Sequence, residues 1–179
     1  MIDIVIKNED FGLEATPYTD NCYVRYASRG IVFDPAIGKI AMEYKANINE
    51  YKLPGGGREG NETEEETFHR EVFEESGCKV KIVKKLGTIL EERSNIDMKQ
   101  YSAIFVAELV EDTKELHLEQ KEADEGMVVK WMDVDEALEA VKKSHDTVKA
   151  DGYESLYNAH FVLVRDEKII EAYKESLDE

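Results

Sequence analysis

Residues 53–78 read LPGGGREGNETEEETFHREVFEESGC, three consecutive glycines running into a segment that holds eight glutamates. Carboxylates this dense repel one another, so the stretch needs a physical reason to fold. Part of it is local. Thr63 followed by Glu66 has capping-box spacing, and Glu64, Glu65 and Glu66 sit where a helix N-terminus favours negative charge. The spacing therefore predicts a helix from Thr63 to Ser76, with Phe68 and Val72 on its apolar stripe. Glu71, Glu74 and Glu75 follow at i, i+3 and i+4 and share one arc beside that stripe. Like charges at this spacing are destabilising unless a cation joins them or water screens them, and the spacing alone fits a metal site and a solvated acidic face equally. Oxygen-only ligands of this kind suit Mg²⁺ or Mn²⁺ rather than zinc. Gly55, Gly56 and Gly57 let the backbone approach such a cation closely and offer a loop carbonyl to it.

Around this helix the chain reads as strands. IDIVIK near the N-terminus alternates apolar and polar residues; 22–34 is rich in β-branched and aromatic residues and turns at PAIG into a hairpin partner at 39–45. Residues 79–93 and 98–110 form two further strands. A polar loop over 111–127 leads to the strand MVVKWM, then to the helix VDEALEAVKK. The C-terminal segment has mostly helical spacing and predicts one or two helices. No repeat or composition break appears, so the expectation is one α+β domain over 1–179, with its core at about 20–143 and a helical extension over about 150–179.

Composition narrows the function. With 40 acidic against 23 basic residues the net charge is −17, which disfavours a nucleic-acid partner because phosphate contacts need a basic surface. A phosphorylated ligand would need positive charge supplied locally, and a divalent cation held by carboxylates supplies it. No apolar run reaches membrane-spanning length, the N-terminus lacks signal-peptide layout, and Cys22 and Cys78 form no CxxC pair, so a cytoplasmic protein without a membrane partner is expected.

The whole stretch resembles the Nudix box: Gly, five residues, Glu, seven residues, then Arg-Glu-apolar-x-Glu-Glu-x-Gly-apolar. Gly56, Glu62, Arg70, Glu71, Val72, Glu74, Glu75 and Gly77 fill it, and Cys78 stands where Ile, Leu or Val is usual. YASRGIVFD before the box and ADEGMVVKWMDVDEAL after it look like its usual surroundings. The resemblance implies a Nudix-type mixed β-sheet sandwiched between α-helices. It also implies metal-dependent hydrolysis of a nucleoside diphosphate linked to another group, in the manner of MutT-like nucleotide pyrophosphatases. By position, Glu71, Glu74 and Glu75 would hold Mg²⁺ or Mn²⁺ with help from the Gly55 carbonyl, while Arg70 and Glu62 pair to orient the cluster. The family's general base comes from the box helix or from a loop outside it. Glu71 and Glu125 are the candidates here, with Glu119 and Glu122 as neighbours of Glu125.

The expected partner is a small nucleotide; the sequence leaves the oligomeric state open, a homodimer among the options. Marks of NADH, coenzyme A, ADP-ribose and diadenosine polyphosphate subfamilies are missing, which shifts weight toward nucleoside triphosphates, oxidised ones included. ADP-ribose or sugar-nucleotide cleavage, or a sensor of the same fold without turnover, are the alternatives. Tyr44, Tyr51 and Tyr101 are candidates for base stacking, and Arg25 and Arg29 for phosphate or base contact. His69 is expected only to pack or to face water, and Trp131 to belong to the core.

Overall fold

The computed structural model describes residues 1–149 and 152–177, and an eight-stranded mixed sheet organises them. The strands are β1 (Ile2–Lys7), β2 (Tyr23–Asp34), β3 (Lys39–Lys45), β4 (Glu50–Lys52), β5 (Gly55–Gly57), β6 (Cys78–Arg93), β7 (Met98–Asp112) and β8 (Met127–Met132). The helices are α1 (Glu64–Ser76), α2 (Gln120–Asp124), α3 (Val134–Thr147) and α4 (Tyr153–Glu175). The main path runs β1-β6-β7-β2-β3-β4, with β5 added to β2 and β8 to β3. Two pairings, β1 with β6 and β2 with β7, are parallel.

The expected hairpin forms, but its strands part almost at once. β2 and β3 pair only at Phe33–Ile40 and Asp34–Lys39. Beyond that point β5 takes the free edge of β2, matching Gly55, Gly56 and Gly57 to Arg29, Ser28 and Ala27, while β3 turns to β4 and β8. The glycine stretch thus fills the fork between two diverging strand groups.

Each face of the sheet carries its own apolar core. On one, Phe68 and Val72 of α1 pack with Val32, Ala41, Phe105 and Ala107. On the other, α3 and α4 bring Val141, Phe161, Leu163 and Ile170 against Ile6, Ile31, Met42 and Ile104. Among the described residues the C-terminal extension is one helix, and it lies on the sheet as part of this second core. The polar segment 111–127, expected as a loop, contains the short helix α2; Glu122 accepts from the Glu119 N–H at 3.0 Å, a local capping bond independent of apolar periodicity.

Candidate active site

The box helix begins and ends as its sequence predicts. Thr63 Oγ1 accepts from the Glu66 N–H, and the Glu66 carboxylate accepts from the Thr63 N–H at 2.8 Å. Gly77 closes the helix in the left-handed region at φ 70°. The glycine strand is fixed as firmly. Gly55 has φ 138°, and a Cβ there would stand 2.3 Å from Arg29 Cβ. At Gly56 a Cβ would meet the Glu71 carboxylate at 2.4 Å. The missing side chain leaves the place that this carboxylate fills.

Arg70 gathers the outer carboxylates. Its Nε and Nη2 donate to the two Glu62 oxygens at 2.7 and 3.0 Å, and Nη1 donates to Glu71 at 2.9 Å and Glu74 at 3.1 Å. Nη2 also reaches the Gly57 carbonyl at 2.8 Å, which ties helix to loop. The Arg70 hydrogen bonds hold Glu62 down to about 2. Glu71 moves the opposite way, because burial and then the neighbouring Glu75 charge outweigh Arg70.

Glu75 points inward and is 2% exposed. It accepts from Lys52 Nζ at 2.9 Å and from the Gly55 N–H at 2.7 Å. The same ammonium stands 2.9 Å from Glu43 on β3, the residue opposite Lys52 in the β3–β4 ladder. Burial, then Glu43 and Glu75, set the state of Lys52: the two carboxylates win and hold it charged. From α2, Glu122 comes against Glu75, and burial followed by that charge lifts it to about 7. Glu125 faces elsewhere, in an ion pair with Lys45 at 2.5 Å, and Glu119 is exposed. Beyond Glu125 a cavity of about 800 Å³ opens, walled by Lys45, Glu50, Lys121, Lys149 and Asn158.

The donor chemistry and the charge of this cluster fit a hard divalent cation. Six carboxylates (Glu43, Glu62, Glu71, Glu74, Glu75 and Glu122) face two cationic side chains, and the Gly56 cradle admits Glu71 to the loop. Arg70 and Lys52 take the facing oxygens, and among the described residues no group of three or more His, Cys, Asp or Glu side chains stands in metal-holding geometry. The Gly55 N–H meets the cluster, while its carbonyl accepts from Arg29 Nη1 at 3.4 Å.

Behind the glycine strand lies a second charged cluster with no motif in the sequence. Arg165 donates to Asp166 at 2.8 Å and to Glu91 at 3.4 Å; Arg93 donates to Glu91 at 2.6 Å. Asp166 in turn accepts from the Leu53 N–H at 2.8 Å, so α4 anchors the loop. Arg29 is 3% exposed, and burial and then Arg165 lower it to about 10. Arg25 donates to Gln100 at 2.6 Å and lies against Gly57.

The tyrosine candidates divide into two pairs. Tyr44 stacks on Tyr51 at 4.5 Å with Lys130 Nζ 3.8 Å from the Tyr44 centroid, whereas Tyr101 stacks on Tyr26 at 5.7 Å beneath Arg58. His69 is exposed on α1 and Trp131 is half-buried. Lys52 and Glu43 were missed by motif reading. Their local signal is a lysine at the end of a short strand, directly before LPGGG.

A model of the NUDIX domain matches residues 37–153. Among solved structures, a NUDIX hydrolase from Nitrosomonas europaea has a similar fold, with a TM-score of 0.61 over 85% of this chain and 89% of that one at 15% identity. No curated protein matches.

Proposed function

The chain belongs to the Nudix family, whose members hydrolyse phosphorus-containing anhydrides, and from that premise we propose that it cleaves the pyrophosphate link of a nucleoside diphosphate joined to another group. The observation that supports this reading is the charge imbalance around Arg70 and Lys52, where carboxylates outnumber cations at the glycine strand. Mg²⁺ or Mn²⁺ is the cation in this reading, held by Glu71, Glu74 and Glu75 with the Gly55 carbonyl as a further oxygen. Such an ion polarises a phosphoryl oxygen and offsets the charge that develops on it.

The residues of the chain do the remaining work. Arg70, fixed by Glu62 at 2.7 Å, orients Glu71 and Glu74 without neutralising both. Water adds to phosphorus, the P–O–P bond breaks at the leaving oxygen, and the water proton passes to a carboxylate. Glu122 takes that role here, because it stands against Glu75 and its affinity for a proton lies near neutrality. Glu71 is the second candidate, and Glu125 is engaged by Lys45. The group beyond the scissile link lodges in the cavity beside Glu125. A nucleoside triphosphate, oxidised or not, is the leading substrate class, in a cytoplasmic setting.

The deciding experiment is a panel of nucleoside triphosphates, sugar nucleotides and ADP-ribose, assayed with and without Mg²⁺ for release of a nucleoside monophosphate. Tight binding of one compound with no turnover would instead make the protein a sensor of this fold.

A further inference from the structure

Glu75, an expected cation ligand, already has both oxygens engaged, one by Lys52 and one by the Gly55 N–H. Glu43 is 1% exposed and shares the same ammonium at 2.9 Å. Both Glu43 oxygens are buried, and among the described residues neither meets a donor in good hydrogen-bonding geometry, so the contact with Lys52 is an ion pair. A buried carboxylate without hydrogen bonds is costly, and two on one point favour positive charge between them. Lysine supplies that charge as a compact point on a flexible stem, 9% exposed in this case. Its N–O distances of 2.9 Å are wider than the roughly 2.0–2.1 Å that Mg²⁺ demands, so the carboxylates stand one ammonium apart.

We infer that Lys52 is a resident counter-ion, seated where an inner divalent cation would otherwise bind Glu43 and Glu75. The exchangeable cation is thereby left to Glu71, Glu74 and the remaining lone pairs of Glu75. Lys52 is a positioning residue: it holds Glu75, and Glu75 holds the Gly55 N–H. The inference rests on reading the box carboxylates as cation ligands, but its test needs no substrate.

Mn²⁺ alone is titrated into the full chain at neutral pH and the bound ions are counted by electron paramagnetic resonance. Lys52→Met is expected to bind one more Mn²⁺ per chain than the wild type, Lys52→Arg the wild-type number, and Lys52→Met with Glu43→Gln to lose the added ion. Equal counts in the wild type and Lys52→Met would overturn the inference. Should Lys52→Met not fold, Glu43→Gln decides: an unchanged count is expected, and loss of one ion would make Glu43 itself a ligand in the wild type. A wild type that binds no Mn²⁺ removes the metal reading of the function, while its difference from Lys52→Met still decides the role of Lys52.

Discussion

The two sides of the glycine strand carry opposite charge. On the α1 side six carboxylates meet Arg70 and Lys52; on the α4 side Arg25, Arg29, Arg93 and Arg165 meet Glu91 and Asp166. The acidic side is half open, with the Glu74 side chain 39% exposed, whereas Glu91, Asp166 and Arg165 are at most 1% exposed. Access to solvent decides what each imbalance can do. An open acidic cluster exchanges cations with water, but a closed basic one can only brace the backbone it touches. Concentrating four arginines behind the loop also sets positive charge beside the glycine strand in a chain whose net charge is −17.

This contrast can be broken by substitution. On the open side, Glu74→Gln should lower turnover by about two to three orders of magnitude with little change in unfolding midpoint, since the residue is exposed and acts on charge in the transition state. Steady-state rates beside a urea titration check both parts, and an unaffected rate would remove the metal role. Glu122→Gln should cost about a hundredfold in rate if it takes the water proton. On the closed side, Arg165→Met leaves Glu91 and Asp166 buried with less counter-charge and should cost about 3–5 kcal/mol in urea unfolding. Arg70→Met should cost less stability, because Arg70 and its partners reach water.

Acid should separate the sides more gently. Burial alone would raise Glu91, but Arg93, Arg165 and Arg29 hold it at about 2 against an ordinary 4.5. A carboxylate lowered on folding stabilises above its unfolded value and loses that contribution as pH falls through its folded one. Stability should therefore decline from about pH 5 to about pH 2, with Glu91 contributing on the order of 3 kcal/mol. In Glu91→Gln the slope of urea stability over this window should be shallower. The smallest effect belongs to Glu125→Gln, which should leave the hydrolysis rate within about twofold because Lys45 already engages that carboxylate; a loss comparable to that of Glu122→Gln would return the base role to Glu125.

The same contrast explains what could be read from the sequence. The open side is written in one stretch: the Thr63 cap, the Glu62–Arg70 pair and the i, i+3, i+4 carboxylates are local spacings that a helix turns directly into geometry. The strands and the flanking helices were legible for the same reason, because burial imposes a period on them. The closed side draws Arg29, Glu91, Arg93 and Arg165 from β2, β6 and α4, and no period links such positions. Lys52 and Glu43 meet through cross-strand register, and the divergence of β3 from β2 depends on β5 entering between them. α2 escaped because five residues are too few to show helical periodicity.

The bond from the Leu53 N–H to Asp166 spans 113 residues. During synthesis the box emerges from the ribosome long before its brace does. The segment leading into the box therefore lacks this support until Asp166 of α4 has been made. Contacts this distant in sequence are late and slow to close. The nascent protein thus carries every residue of the box while still awaiting the helix that braces the backbone leading into it, so formation of α4 separates having the residues from having their final arrangement.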